Sequence, residues 1–263
     1  MPDVTEAAWL ESAFATLKTT ADATADATAD AAAGAAGAAT GGPGGAIGRL
    51  EAQIRFLLTL DRAKSVLRRT YITDGTRLEN DAEHMWHVTL AALVLAEQAD
   101  EPVDAGRLAC MLAVHDIVEI DAGDTFVYDT AGSVDKLERE TRAAERIFGL
   151  LPPDQASAMR QLWDEFEERS TPTAKMAAAI DRLLPLLMNR AVNGRTWSEH
   201  GVEAPRVLAV NSVIESGSAN LWAFARLVLE GAVADGTLAG SLPEPATPTA
   251  SPPGAGAPAE PAP

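Results

Sequence analysis

From Ala46 to Ser241 apolar residues recur at steps of three and four, and no apolar/polar alternation survives beyond four residues. That period is the signature of amphipathic helices, so the chain reads as all-α. Ile47, Leu50, Ile54, Leu57 and Leu58 begin one stripe. Val88, Ala91, Ala92 and Leu95 continue a second that starts near Asn80, and a third runs from Asp104 to Glu119. Pro152-Pro153 and Ser170-Thr171-Pro172 read as helix starts, because proline near the first helical position gives up an N–H that has no partner there anyway. Helices over 153–169, 172–191, 204–215 and 217–235 follow. The expectation is a bundle of roughly seven or eight helices.

The two ends break the pattern. Residues 17–45 are mostly Ala, Thr, Asp and Gly and close on Gly-Pro-Gly-Gly, which predicts a linker, although Val4, Ala8, Leu10 and Phe14 give residues 4–16 a short apolar face able to dock. The segment from Leu242 onward holds 8 of the 16 prolines and reads as an extended, solvated tail. The expected organisation is therefore an extension over 1–45, a folded domain over 46–241 and a tail over 242–263.

Charge narrows the function. With 21 Lys+Arg against 38 Asp+Glu the chain carries −17, which repels nucleic-acid polymers and anionic membrane surfaces. A small anion would need local positive help. The single cysteine, Cys110, cannot form an internal disulfide and reads as a small core residue. With no basic-then-apolar leader and no run of 18 apolar residues, a cytoplasmic protein without a spanning helix is expected.

Against this background four polar residues stand out, because they lie on faces that should be buried. His115 and Asp116 interrupt the apolar run CMLAVHDIVEI. His84 shares a face with Val88, Ala91 and Leu95, and Asp181 shares one with Ala177, Leu184 and Met188. An unpaired buried carboxylate costs several kcal/mol, so these groups need partners. One divalent cation would satisfy two imidazoles and two carboxylates together. Glu119, four residues after His115, is expected on the same helix face, and Asp124 in the loop beyond it.

The order His84, His115-Asp116, Asp181 resembles the HD-domain metal-dependent phosphohydrolases, and the fuller pattern resembles their 5′-deoxynucleotidase-like branch. ENDAEH at 79–84, HDIVEIDAGD at 115–124, LWDEFEE at 162–168, IDRLLPLL at 180–187 and NGRTWSEHGV at 193–202 carry the likeness over most of 47–235. It implies an HD-type helical bundle. It also implies one divalent ion (Mn, Co, Fe, Zn or Mg) on His84, His115, Asp116 and Asp181, with Glu119 and Asp124 as the acid/base groups and a homodimeric assembly. A basic group must meet the phosphate; by the resemblance Arg69 is the better match, with Arg68 the alternative, both expected at the end of the first core helix. No histidine lies between Asp116 and Asp181, which favours one metal over two or three, and His87 reads as a helix-face residue. His200, in a segment read as a turn, and Trp197, read as lying in a polar loop, have no assigned part.

The expected activity is hydrolysis of a nucleoside or deoxynucleoside 5′-monophosphate to nucleoside and phosphate. Two readings stand beside it: hydrolysis of another small phosphate ester or a nucleoside triphosphate, and a non-catalytic, metal-stabilised nucleotide-binding module. P-loop, Rossmann, G-x-S-x-G and C-x-x-C patterns are absent.

Overall fold

The computed structural model describes residues 8–29 and 43–243. Helix α1 (Ala8–Ala29) packs on α2 (Pro43–Leu60) through buried Leu10 and Phe14, with Lys18 bonded to Glu51 at 2.7 Å. The segment read as a linker is thus helical as far as Ala29. Residues 30–42, Val4 at the start and all but the first two positions of the Pro-rich tail lie outside the described residues.

After α2 comes the only sheet among the described residues, an antiparallel ribbon of β1 (Leu67–Tyr71) and β2 (Leu78–Asn80). Gly75, at φ 71°, and Asp74, which accepts from the backbone N–H and hydroxyl of Thr76, close its turn. Arg68 and Arg69 therefore sit on a strand and not at a helix end. The two-residue period decides their fates: Arg68 and Thr70 point inward, as does Glu79 on β2, while Arg69 points out.

Asn80 ends β2 and starts α3 (Asp81–Leu95) with a reciprocal capping box, its side chain accepting from the Glu83 N–H at 3.0 Å while the Glu83 carboxylate accepts from the Asn80 N–H at 3.3 Å. Helix α4 (Ala105–Val114) stops earlier than the stripe predicts. From there the N–H groups of Ile117, Glu119, Ile120 and Asp121 bond three residues back, at Val114, Asp116, Ile117 and Val118, before the short α5 (Glu119–Ala122) and Gly123 at φ 76°. In that tighter winding residues three apart lie close, and carboxylate oxygens of Asp116 and Glu119 fall within 4.8 Å of one another.

The remaining helices are α6 (Lys136–Phe148), α7 (Pro153–Glu168), α8 (Pro172–Ala191), α9 (Arg195–Glu199), α10 (Ala204–Asn211) and α11 (Ala219–Ala234). Among the described residues the helices exceed the expected seven or eight because α6 buries only Ile147 and Phe148 as large apolar side chains, beside Ala143, Ala144 and Glu140, and because α9 occupies the segment read as a turn. Trp197 on α9 is among the largest fully buried side chains, whereas Cys110 is exposed; both reverse the sequence reading.

Buried apolar residues form two cores. The larger gathers α8 with Val88, Leu108, Met111 and Leu112; the smaller gathers α6 with Phe56, Met85, Val114 and Ile117. Helices α3 and α4 feed both. His84, on α3, and His115, just past α4, are themselves buried. Among the described residues no helix is long and apolar enough to cross a membrane.

Replacing Ile180, fully buried on α8, by alanine should cost about 2–5 kcal/mol in denaturant unfolding. Cys110→Ser should shift stability by less than about 0.5 kcal/mol. A loss of several kcal/mol at Cys110 would contradict its exposed placement.

Candidate metal centre and substrate chamber

Four side chains from three distant segments converge in the interior. One ligand atom each from His84, His115, Asp116 and Asp181 lies within 4.8 Å of the others. The His84 Nε2 is 3.0 Å from Asp181 Oδ1 and 3.7 Å from Asp116 Oδ2. His115 Nε2 is 3.2 Å from Asp116 Oδ2 and 3.5 Å from Asp181 Oδ1.

The orientation of the imidazoles tests whether a cation belongs here. The His115 Nδ1 donates to the Leu112 carbonyl at 2.9 Å, which leaves Nε2 to face the carboxylates, and that buried atom makes no well-formed hydrogen bond. His84 is likewise sealed, with Nδ1 3.5 Å from Glu79 Oε2. Both Nε2 atoms thus face the same two carboxylates, and the His115 ring is held by an acceptor on its far side, as metal-ligating histidines are. The set fits a divalent ion of borderline softness. In the protein alone, a proton on His115 does the neutralising: burial works to lower its pKa, but Asp116 and then Asp181 raise it to about 10. Despite burial, His115 and Arg68 hold Asp116 below the usual carboxylate range, and Arg182 and His115 do the same for Asp181.

On the other side of Asp116 lies a second acidic group. Oxygens of Asp81, Asp116 and Glu119 also fall within 4.8 Å of one another. Here a side chain already supplies the positive charge: Arg68 Nη1 donates to Asp116 Oδ2 at 2.7 Å and lies 3.6 Å from Asp81 Oδ1. The compensation is partial. Burial and the Asp116 charge push Asp81 up to about 7 against the pull of Arg68, and burial, Asp116 and Asp81 push Glu119 well above its ordinary value. Burial raises Asp124 too.

Above the four-residue cluster is a chamber of about 30 Å³, space for one or two water-sized groups. Asp116, Asp181, Glu119 and Asp124 line it, and so do Arg68, Lys136, Arg169 and Arg182. Of the two arginines expected to meet a phosphate, Arg68 reaches this chamber while Arg69 lines neighbouring cavities. Lys136 and Arg169 escaped the sequence reading. Arg169 follows α7 in the left-handed region at φ 51°, uncommon for a side chain of its size, and its buried Nε has no partner. An arginine directly after a helix that ends in Glu-Glu was the one available signal. Lys136 pairs with Glu140 at 3.3 Å, and burial pushes Glu140 up to about 7 against that lysine.

A family model described as HD domain matches residues 60–222. The human 5′-deoxynucleotidase HDDC2 is 28% identical over 130 residues, which are 49% of this chain and 62% of that protein. The match therefore spans less than two thirds of the human relative. The 5′-deoxynucleotidase hdd1 of Schizosaccharomyces pombe is 26% identical over 189 residues, covering 66% of this chain and 93% of the yeast protein. A crystal structure described as a predicted metal-dependent phosphohydrolase from Magnetospirillum magnetotacticum MS-1 is 52% identical, with a TM-score of 0.71, and the alignment covers 74% of this chain and 98% of that one.

Glu140 offers a pH test. The folded protein keeps its carboxyl protonated up to about 7, whereas its ordinary value is 4.5. Between those values the folded state binds more protons than the unfolded one, so this contribution to stability is full below pH 4.5 and lost as pH rises through 7. Asp81 acts in the same sense. In metal-stripped protein the Tm should fall between pH 5 and pH 7.5, and Glu140→Gln should flatten part of that slope. A variant profile superimposable on the parent's would rule Glu140 out as a source.

Proposed function

The chain belongs to the HD-domain family, and from that premise we propose that it is a metal-dependent phosphomonoesterase. Its substrate on this reading is a nucleoside or deoxynucleoside 5′-monophosphate, released as nucleoside and phosphate. The observation that carries the proposal is the convergence of two imidazole Nε2 atoms and two carboxylates beneath a chamber lined by both acids and cations. A catalytically idle module would have no use for Glu119 and Asp124 beside the cluster.

His84, His115, Asp116 and Asp181 would hold the divalent ion, which when bound polarises a phosphoryl oxygen and acidifies water. The rest falls to side chains. Arg68, Lys136, Arg169 and Arg182 bring positive charge to the phosphoryl oxygens, and arginine suits this because its planar fork donates two parallel bonds. Glu119, whose proton affinity is raised by burial and by two neighbouring carboxyls, accepts the proton of the attacking water. As the P–O5′ bond breaks it returns that proton to the departing oxygen. Asp124, raised in the same sense, is the alternative holder of the proton.

A homodimer and a cytoplasmic location complete the reading. Trp86, Leu90, Leu93 and Val94 leave one face of α3 exposed and apolar, beside a groove formed with Leu60, Ala113 and Ile117. An apolar face of this kind suits a second copy better than solvent. A reducing compartment accords with the exposed, unpaired Cys110.

Against a panel of nucleoside monophosphates, reconstituted protein should release phosphate and no pyrophosphate. Asp116→Ala should lose bound metal and turnover together. Glu119→Gln should keep metal stoichiometry while kcat drops about 10²- to 10⁴-fold. Turnover that persists in metal-stripped protein would sink the mechanism. For assembly, light scattering should give a dimer for the parent and a monomer for Trp86→Glu/Leu90→Glu; an unchanged mass would clear α3 of that role.

A further inference from the structure

The segment NGRTWSEHGV at 193–202 contributes nothing to the metal cluster, yet its position is tightly specified. Asn193 and Gly194 adopt positive φ, and a Cβ on Gly194 would meet the Thr237 carbonyl oxygen at 2.2 Å. The turn sends α9 back against β1, where the Thr196 hydroxyl donates to the Arg69 carbonyl at 2.9 Å. Trp197 and His200 then become walls of two cavities that continue outward from the chamber.

The first cavity, about 60 Å³, shares Arg68, Asp124, Thr125 and Arg182 with the chamber. The second, about 260 Å³, shares Arg69, Phe126 and Tyr128 with the first and adds His200 and Arg206. A phosphate ester seated in the chamber would therefore extend its other half into this series. Two features point to what that half is. Asn189, only 5% exposed, lines the first cavity, and its carboxamide oxygen has no hydrogen-bond partner. A buried acceptor left unpaired is costly, so it calls for a donor from whatever fills the space. In the second cavity the rings of Phe126 and His200 lie 4.6 Å apart, with Tyr128 5.2 Å from Phe126. Aromatic side chains open to a cavity suit a flat, partly apolar ring system.

We propose that these two cavities form the leaving-group subsite, in which Asn189 accepts a hydrogen bond from a hydroxyl of the sugar and the Phe126–His200 pair receives the base. The subsite rests on the phosphomonoesterase reading for its orientation, with the phosphate inward and the base outward. It makes Asn189 a specificity-determining residue, because a site built around a polar partner rejects the analogue that lacks it.

The test compares two esters on the manganese-reconstituted full chain. One is thymidine 5′-monophosphate. The other is p-nitrophenyl phosphate, which carries neither sugar nor base. Asn189→Ala should lower the ratio of kcat/KM for the nucleotide over that for the nitrophenyl ester about tenfold. An equal loss on both substrates, or no loss on either, overturns the proposal and leaves Asn189 hydrated or structural. Should Asn189→Ala fail to fold, Phe126→Leu, on a loop, carries the same comparison with the same expected direction. If the parent protein releases phosphate from neither ester, the phosphomonoesterase reading falls by itself. The subsite is then judged by calorimetry with thymidine alone: binding weakened about tenfold by Asn189→Ala upholds it, and equal or absent binding overturns it.

Discussion

Asp116 is the residue on which the interior depends. One of its oxygens faces two imidazoles and the same oxygen accepts from Arg68, so a single carboxylate belongs to both acidic groups. Removing charge from water in the interior is costly unless each anion finds a cation or a proton. The structure uses every available source. Arg68 faces Asp81, His115 takes up a proton between Asp116 and Asp181, and burial with the neighbouring carboxyls raises the proton affinity of Glu119. A divalent ion replaces the most awkward of these, since it brings two positive charges to a point where the chain can supply only one. The same shortage that favours the ion also leaves Glu119 with a high proton affinity.

The buried cluster was legible in the sequence because each member is a polar residue within an otherwise apolar helical run, and the chain leaves few other reasons for such a residue. The choice between Arg68 and Arg69 was not legible. It turns on a two-residue period over five positions, too short to register against the helical pattern around it. The tight turns between Asp116 and Asp121 were hidden for a related reason: a stripe reports which residues are buried, but not whether the backbone bonds three or four residues back. Lys136 and Arg169 were hidden because charged residues near helix ends are ordinary on any surface. Trp197 was misread because its neighbours are polar, and Cys110 because small thiols are more often buried than exposed.

The chain's acidity takes on a definite meaning in this setting. Carboxylates crowd the very chamber proposed to admit a phosphate, yet four cationic side chains share its walls. Net charge therefore speaks to polymers and surfaces, which sample the whole molecule. A small ester samples only the few ångströms around Arg68, Lys136, Arg169 and Arg182.

The ribbon that carries Arg68 joins the centre 48 residues before Asp116, and His84 meets Asp181 across 97 residues. Contacts so distant along the chain carry a loop-closure entropy that local helices do not. The centre therefore exists only where segments far apart in sequence have been brought together. A nascent chain has no preassembled site with which to scavenge ions. Metal capture then reports that those segments have met, and a preparation's metal content would serve as a census of its correctly folded molecules.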